Sequence, residues 1–164
     1  MTGGGIGPFR GYRVEVHRGW LDYNGHVHDA AYAELLSAAN ELLLDRLGLS
    51  ADYRERTGSA LFTAECHIRY LAECRLADVV VARSVLVAAD DKRLTVATEL
   101  TRDGDATTVA TGEHLYLHVA ATGRVCPLPP ERAAAVADLL ADHASLPRPA
   151  HLGLGVGAGR RQSR

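Results

Sequence analysis

Several things are scarce in these 164 residues, and each scarcity excludes something. There are three cysteines, Cys66, Cys74 and Cys126, an odd number without a Cys-x-x-Cys pair. That argues against a disulfide framework and fits reduced thiols, so a cytoplasmic setting is expected. No apolar run approaches the roughly 20 residues of a membrane span, and the N-terminus lacks the basic and apolar regions of a signal peptide. Net charge is only −2, so nothing pulls the chain towards nucleic acid or an anionic membrane, and neither is an expected partner. Aromatics number nine: one Trp, six Tyr and two Phe. No internal repeat is visible.

What is present suffices for one domain. The hydrophobic share is 47%, enough for a core in a chain of this length. The ends read differently from the middle. Residues 1–11 carry five glycines and a proline, and residues 145–164 carry two prolines, four glycines and four arginines without apolar periodicity. The expected division is a flexible lead-in at 1–11, one domain at 12–144 and a flexible basic tail at 145–164.

Periodicity orders the middle. Arg13–His17 reads as a short strand. From Ala30 the apolar residues fall at Tyr32, Leu35, Leu36, Ala39, Leu42, Leu43 and Leu47, the stripe of an amphipathic helix, with Asp29 as its expected N-cap and Gly48 at its stop. The period then changes to two, giving strands near 59–71, 78–88, 92–102 and 108–119 joined by polar turns, and so an expected antiparallel meander. A short helix is expected near 130–143, packing Ala134, Val136, Ala137, Leu139 and Leu140. The class is α+β. A sheet of five strands curling round one long helix is the most economical way to bury that helix.

The run Trp20-Leu-Asp-Tyr-Asn-Gly-His-Val-His-Asp-Ala-Ala-Tyr32 carries the chemistry. It sets an acid, Asp22, on a Gly-bearing loop just ahead of a helix start, where backbone N–H groups are unpaired and the dipole is positive. An acid beside such donors has the parts for acyl chemistry: a base or nucleophile, and a cradle for an oxyanion. The N–H groups of Asp29 and Ala30 are the expected oxyanion donors. Asn24 and His26 can hold the carboxylate or the loop, and Gly25 supplies a backbone shape that a side chain forbids. Taken alone, Asp-Tyr-Asn-Gly is also an ordinary turn.

Other clusters weigh less. His26-x-His28-Asp29, with His17 nearby, has a spacing that a metal could use, but no second carboxylate motif joins it, and no metal or other cofactor is expected. Glu113-His114-x-x-x-His118 lacks the order and the helix of a zinc-protease motif. In a strand, His114, Tyr116 and His118 share one face. Glu65 is a charge inside a strand, which places it either at a solvated edge or in a pocket.

The segment Asp22-x-Asn-Gly-His-Val27 resembles the active-site motif of the hotdog-fold acyl-CoA thioesterases, the 4-hydroxybenzoyl-CoA thioesterase-like superfamily. The longer blocks Trp20–His26, Glu65-x-His-Ile-Arg-Tyr-Leu-x-Glu73, Asp91-Lys-Arg-Leu94 and Ala110–Val119 are similar to the betainyl-CoA thioesterases of carnitine breakdown. Those enzymes occur alone or fused to a carnitine dehydrogenase; no dehydrogenase domain is read in these residues. The resemblance implies a hotdog fold over about Tyr12–Val119 with a short C-terminal helix, and hydrolysis of a small acyl-CoA, with betainyl-CoA as the implied substrate. It implies metal-free catalysis in which Asp22 attacks the thioester or activates water. It also implies assembly as a homodimer or homotetramer through edge strands. A quaternary ammonium prefers aromatic faces and a carboxylate, so Trp20, Tyr23, Tyr32 and Glu65 are the candidate acyl-group contacts. Arg69, Arg75, Lys92 and Arg93 are candidates for the CoA phosphates. Two other readings compete: a non-catalytic acyl-CoA-binding hotdog domain, and a hotdog dehydratase drawing its acid from Glu34 or Glu41 on the helix.

Overall fold

The computed structural model describes residues 7–154. Chain order is β1 (Arg13–Glu15), a 3-10 turn (Arg18–Trp20), α1 (Asp29–Arg46), α2 (Ala51–Thr57), β2 (Ala60–Tyr70), β3 (Val79–Ala89), β4 (Arg93–Arg102), β5 (Thr107–Val119) and α3 (Pro130–Ala144). The class is α+β and the fold is the hotdog: one antiparallel five-stranded sheet, ordered β1-β3-β4-β5-β2, curled round α1.

The expected meander holds only for β3-β4-β5. β2 pairs with β5, not with β3, so the connection from Leu71 to Asp78 is a crossover past the end of the sheet rather than a hairpin turn. Alternation shows that a segment is a strand but not which strand it pairs with. This crossover matters, because the loop of Asp22 rests on it.

α1 begins one residue earlier than its stripe implied. His28, not Asp29, is the N-cap, its Nδ1 accepting the Ala31 N–H at 3.1 Å. The helix ends as expected at Gly48, whose φ of +67° is the left-handed value of a Schellman stop. There the Leu49 N–H donates to Leu44 O and the Gly48 N–H to Asp45 O. The buried face consists of Ala31, Tyr32, Leu35, Leu36, Ala39, Asn40, Leu43 and Leu44. Leu42, expected in the stripe, is exposed, and Leu44 takes the inner position.

Asn40 is the polar member of this face, and both polar atoms of its amide have partners. Its Nδ2 donates to the Tyr116 hydroxyl, and its Oδ1 accepts from Thr98, whose hydroxyl also meets Ser84. A buried amide is tolerated only with such partners.

The core divides along α1. Its first half packs with Val16, Trp20, Val27, Cys74, Val80, Ala82, Leu100, Val109 and Ala110 beneath the Asp22 loop. Its second half packs with Tyr53, Leu86, Leu94, Val96, Tyr116, Leu128, Val136 and Leu139. α2 was not expected from the sequence. It is one seven-residue helix held by a single anchor, Tyr53, whose hydroxyl lies 2.9 Å from His118 Nε2. α3 buries Val136, Leu139 and His143; Ala134 and Ala137 face solvent.

The ends of the described chain touch the sheet. Phe9 bridges to Ser84. His151 is buried, and the Gly153 N–H donates to Glu113 Oε2 at 2.8 Å. Residues 145–154, part of the expected tail, thus run along the sheet face opposite α1. The rest of that tail, 155–164, and residues 1–6 of the expected lead-in lie outside the described residues.

Candidate active site

Residues 20–28 form a miniature hairpin. The His28 N–H donates to Trp20 O, Leu21 bridges Val27, and the Asp22 N–H donates to His26 O at 2.8 Å. The tip is a turn closed by the Gly25 N–H on Asp22 O at 3.0 Å. Gly25 has φ +78°, and nothing lies within 4 Å of where a Cβ would stand. Its role is therefore backbone conformation, not space.

This geometry wraps donors round one carboxylate. Asp22 Oδ1 accepts the Asn24 N–H at 2.8 Å and the His26 N–H at 3.2 Å, and Oδ2 accepts the Asn24 side-chain N–H at 3.3 Å. The His26 backbone N–H above all, helped by Asn24, lowers the Asp22 pKa below its ordinary value. The group is an ionised carboxylate at neutral pH, with lone-pair capacity left on Oδ2.

The crossover holds the loop from below. The Val27 N–H donates to Cys74 O, and His26 bridges Arg75. His26 Nε2 stands 3.1 Å from Glu73 Oε2, and Arg75 is 3.7 Å from the same oxygen. Tyr32 clamps the crossover to α1, donating to Ala72 O and accepting the Cys74 N–H at 3.1 Å. Burial is the main cause that pushes its pKa well above the ordinary phenol value, so it stays a neutral phenol. Nothing local in the sequence assigns Glu73 a role. Its nearness to His26 depends on the crossover, which no local pattern announces.

The candidate rings separate. Trp20 is buried, its Nε1 donating to Glu34 Oε2 at 3.2 Å and its ring 3.9 Å from that of His17. Tyr32 is buried in the first half of the core. Tyr23, at the loop tip, is 97% exposed. Within one subunit these three rings do not form a cage. The Trp20 contact also occupies Glu34, one of the two helix acids, with Glu41, that the dehydratase reading offered.

At the start of α1, the Ala31 N–H is taken by His28 and the Ala30 N–H by its neighbour Asp29 Oδ1 at 2.9 Å. The Asp29 and Ala30 amides lie at the helix end nearest Asp22 in sequence, with the Ala30 donor engaged at rest.

Glu65 and Arg69 are placed elsewhere. Glu65 pairs in register with Leu115, and Arg69 with Thr111. Their neighbours on β2, Cys66 and Ile68, are in register with His114 and Gly112, the residues that meet the α1 side. Alternation therefore sends Glu65, His67 and Arg69 to the opposite face, where Glu65, His67 and Glu113 line a groove with Gly153 and Leu154. Lys92 and Arg93 lie at the β3–β4 turn, the far end of the sheet from Asp22, and each is paired with an aspartate. Arg75, exposed beside Glu73, is the one CoA candidate next to the loop.

Among the described residues, no three His, Cys, Asp or Glu side chains are grouped to hold a metal. The three histidines of the metal-like spacing are engaged singly: His17 accepts the Gly19 N–H, His28 caps α1, and His26 faces Glu73.

A family description, the Thioesterase-like superfamily, matches residues 16–136. The chain belongs to that superfamily. A betainyl-CoA thioesterase of Pseudomonas aeruginosa is 36% identical over 147 residues, covering 89% of this chain and 92% of its own length. An L-carnitine dehydrogenase/betainyl-CoA thioesterase of Agrobacterium fabrum is 39% identical over 154 residues; this chain spans 31% of its length. Among solved structures, a Staphylococcus aureus protein in complex with CoA superposes with TM-score 0.84 at 28% identity, over 91% of this chain and 95% of the other.

Proposed function

We propose that this chain is an acyl-CoA thioesterase that hydrolyses betainyl-CoA to betaine and CoA. The carrying observation is the Asp22 carboxylate, held ionised by its own loop at the start of α1 in a chain of this superfamily. The likeness to the Pseudomonas protein over nearly both whole chains supports the acyl group.

In this reading Asp22 attacks the thioester carbonyl directly or activates a water for that attack; both routes need an ionised carboxylate and no metal. Asn24 keeps the carboxylate in place, and His26 lies beside it. The oxyanion falls to the Asp29 and Ala30 amides, with the Ala30 N–H leaving Asp29 Oδ1 to receive it. Tyr23 is the ring offered to the trimethylammonium group, while Trp20 and Tyr32 support the loop from beneath. Glu65, on the opposite sheet face, is given no part in this subunit's site. Arg75 is assigned to CoA, and Lys92 and Arg93 to a CoA phosphate reached from a second copy.

A homodimer is part of the proposal. β2 is an edge strand of 11 residues, with Phe62, Tyr70 and Leu71 exposed beside it. Such an edge calls for cover, and antiparallel pairing with a second β2 supplies it. Two such dimers would make the tetramer. The free thiols of Cys66, Cys74 and Cys126 support a reducing cytoplasm, and no described helix is long and apolar enough to cross a membrane.

The test is thiol release from a panel of acyl-CoAs that includes betainyl-CoA and its neutral isostere 3,3-dimethylbutanoyl-CoA. A cation–aromatic contact is worth roughly 1–2 kcal/mol when desolvated, so kcat/KM should favour betainyl-CoA by about tenfold. Preference for the neutral isostere would defeat the acyl assignment and leave the thioesterase standing. No hydrolysis of any member would support the acyl-CoA-binding alternative.

A further inference from the structure

We infer that Glu73 is a positioning residue for His26, setting which imidazole nitrogen carries the proton during turnover; the inference rests on the thioesterase reading above. The carboxylate of Glu73 stands 3.1 Å from His26 Nε2. A lone pair facing a carboxylate at that distance is repelled, so the neutral imidazole places its hydrogen on Nε2 and keeps its lone pair on Nδ1.

Glu73 is itself fixed. Its backbone oxygen accepts from Arg102 Nη1 at 2.8 Å, and Arg75 lies 3.7 Å from its carboxylate. Arg102 is anchored in turn by Asp105 at 2.7 Å, and the Arg75 N–H by Asp78 Oδ2 at 2.8 Å. Glu73 is thus tied through its backbone to β4 and its turn, and Cys74 through Tyr32 to α1. The backbone of Glu73 is fixed in this way, and its exposed carboxylate stands between His26 Nε2 and Arg75.

The arrangement divides labour within the site. Asp22 has donors on both oxygens and a lowered pKa, which makes it a weak base. His26 lies on the same loop, and its backbone N–H is one of those donors. On the route in which Asp22 attacks the thioester, its C–O bond forms as the C–S bond breaks and CoA leaves as the thiolate. Nδ1 of His26 then takes the proton of the water that hydrolyses the mixed anhydride and frees Asp22, and passes that proton to the CoA sulfur. The products are the free acid and CoA thiol.

Glu73→Gln tests this in two independent ways. In the wild type, nitrogen NMR of the histidine-labelled protein should show the neutral His26 ring as the Nε2–H tautomer, and in the variant a mixture. With the wild type's best substrate, kcat should fall at least about 10- to 100-fold in Glu73→Gln with KM nearly unchanged, the lower bound being the range seen when a carboxylate orienting a metal-bound histidine is lost, and Glu73→Asp should recover part of the rate. An unchanged tautomer, or an unchanged kcat, overturns the inference. A loss confined to betainyl-CoA and absent with the neutral isostere would also overturn it, because Glu73 would then be reading the substrate's charge. If the wild type hydrolyses no acyl-CoA, the functional reading fails, and the NMR arm still decides whether Glu73 sets the His26 tautomer.

Discussion

Two turns in this chain are built on the same plan, and only one of them is a candidate for chemistry. In the loop before α1, Asp22 accepts the backbone N–H groups of Asn24 and His26. In the β3–β4 turn, Asp90 accepts those of Lys92 and Arg93 at 2.9 and 2.8 Å. Both carboxylates are held ionised, but for different leading reasons. At Asp22 the largest cause is a backbone N–H, that of His26. At Asp90 it is the Arg93 side chain, whose Nε and Nη2 lie 2.7 and 2.6 Å from Oδ2. Asp90 is spent on a cation. Asp22 is held by neutral donors, has no ion-pair partner among the described residues, and lies on the hairpin that leads into α1. A turn aspartate becomes a reagent when its neighbours fix it without neutralising it.

Asp22→Asn breaks the comparison most severely. The amide oxygen can still accept the loop N–H groups, so the fold and ligand binding should survive. The negative charge is lost, and kcat should fall roughly 10²- to 10⁴-fold, the usual scale for a positioned acid–base group. Thiol-release kinetics beside a melting curve would separate the two effects, and turnover near the wild-type rate would remove Asp22 from the mechanism. The lowered pKa adds a pH statement. Asp22 and Asp90 contribute stability that is present above the unfolded carboxylate value of about 3.9 and lost as pH falls through their lower folded values. Protonation of Asp22 should therefore cause no loss of kcat between neutral pH and about pH 5.

Asn24→Ala should have a smaller effect. It removes the side-chain donor to Oδ2 and leaves both backbone donors in place. The carboxylate becomes less restrained and its pKa moves back towards the ordinary value. A decrease in kcat of about three- to tenfold, on the scale of one exposed charge-assisted hydrogen bond, is expected, with KM nearly constant. A loss as large as that of Asp22→Asn would mean that Asn24 contacts the reacting groups itself.

How far these distinctions could be read in advance depended on their range along the chain. The long helix, its stop at Gly48 and the strands after it were legible, because each rests on local periodicity or on one residue's backbone preference. So was the Asp22 loop, because the Asx contacts, the Gly25 turn and the helix start all fall within eight residues. What stayed hidden is long-range. The pairing of β2 with β5 turned an expected hairpin into a crossover, and with it came the Glu73–His26 contact, the Tyr32 clamp and the turning of Glu65 to the opposite face. α2 was missed because one buried tyrosine makes no period. Nothing local marks His28 as the cap, since histidine is seldom the capping residue, yet its Nδ1 accepts the required N–H here.

The smallest effect is expected at the second turn, and it completes the comparison. Asp90→Asn keeps an oxygen for the Lys92 and Arg93 N–H groups but gives up the ion pair with Arg93. Exposed ion pairs contribute little, so the melting temperature should drop by no more than a few degrees and kcat should stay at the wild-type value. The informative number is KM. Arg93 is assigned to a CoA phosphate from a second copy, and Asp90 competes for its guanidinium. Releasing Arg93 should lower KM for acyl-CoA slightly, while Arg93→Gln should raise it, and both shifts should shrink in high salt. If KM is the same in both variants, Arg93 serves only its own turn, and the nucleotide is held by cations nearer to Asp22, with Arg75 the first to test.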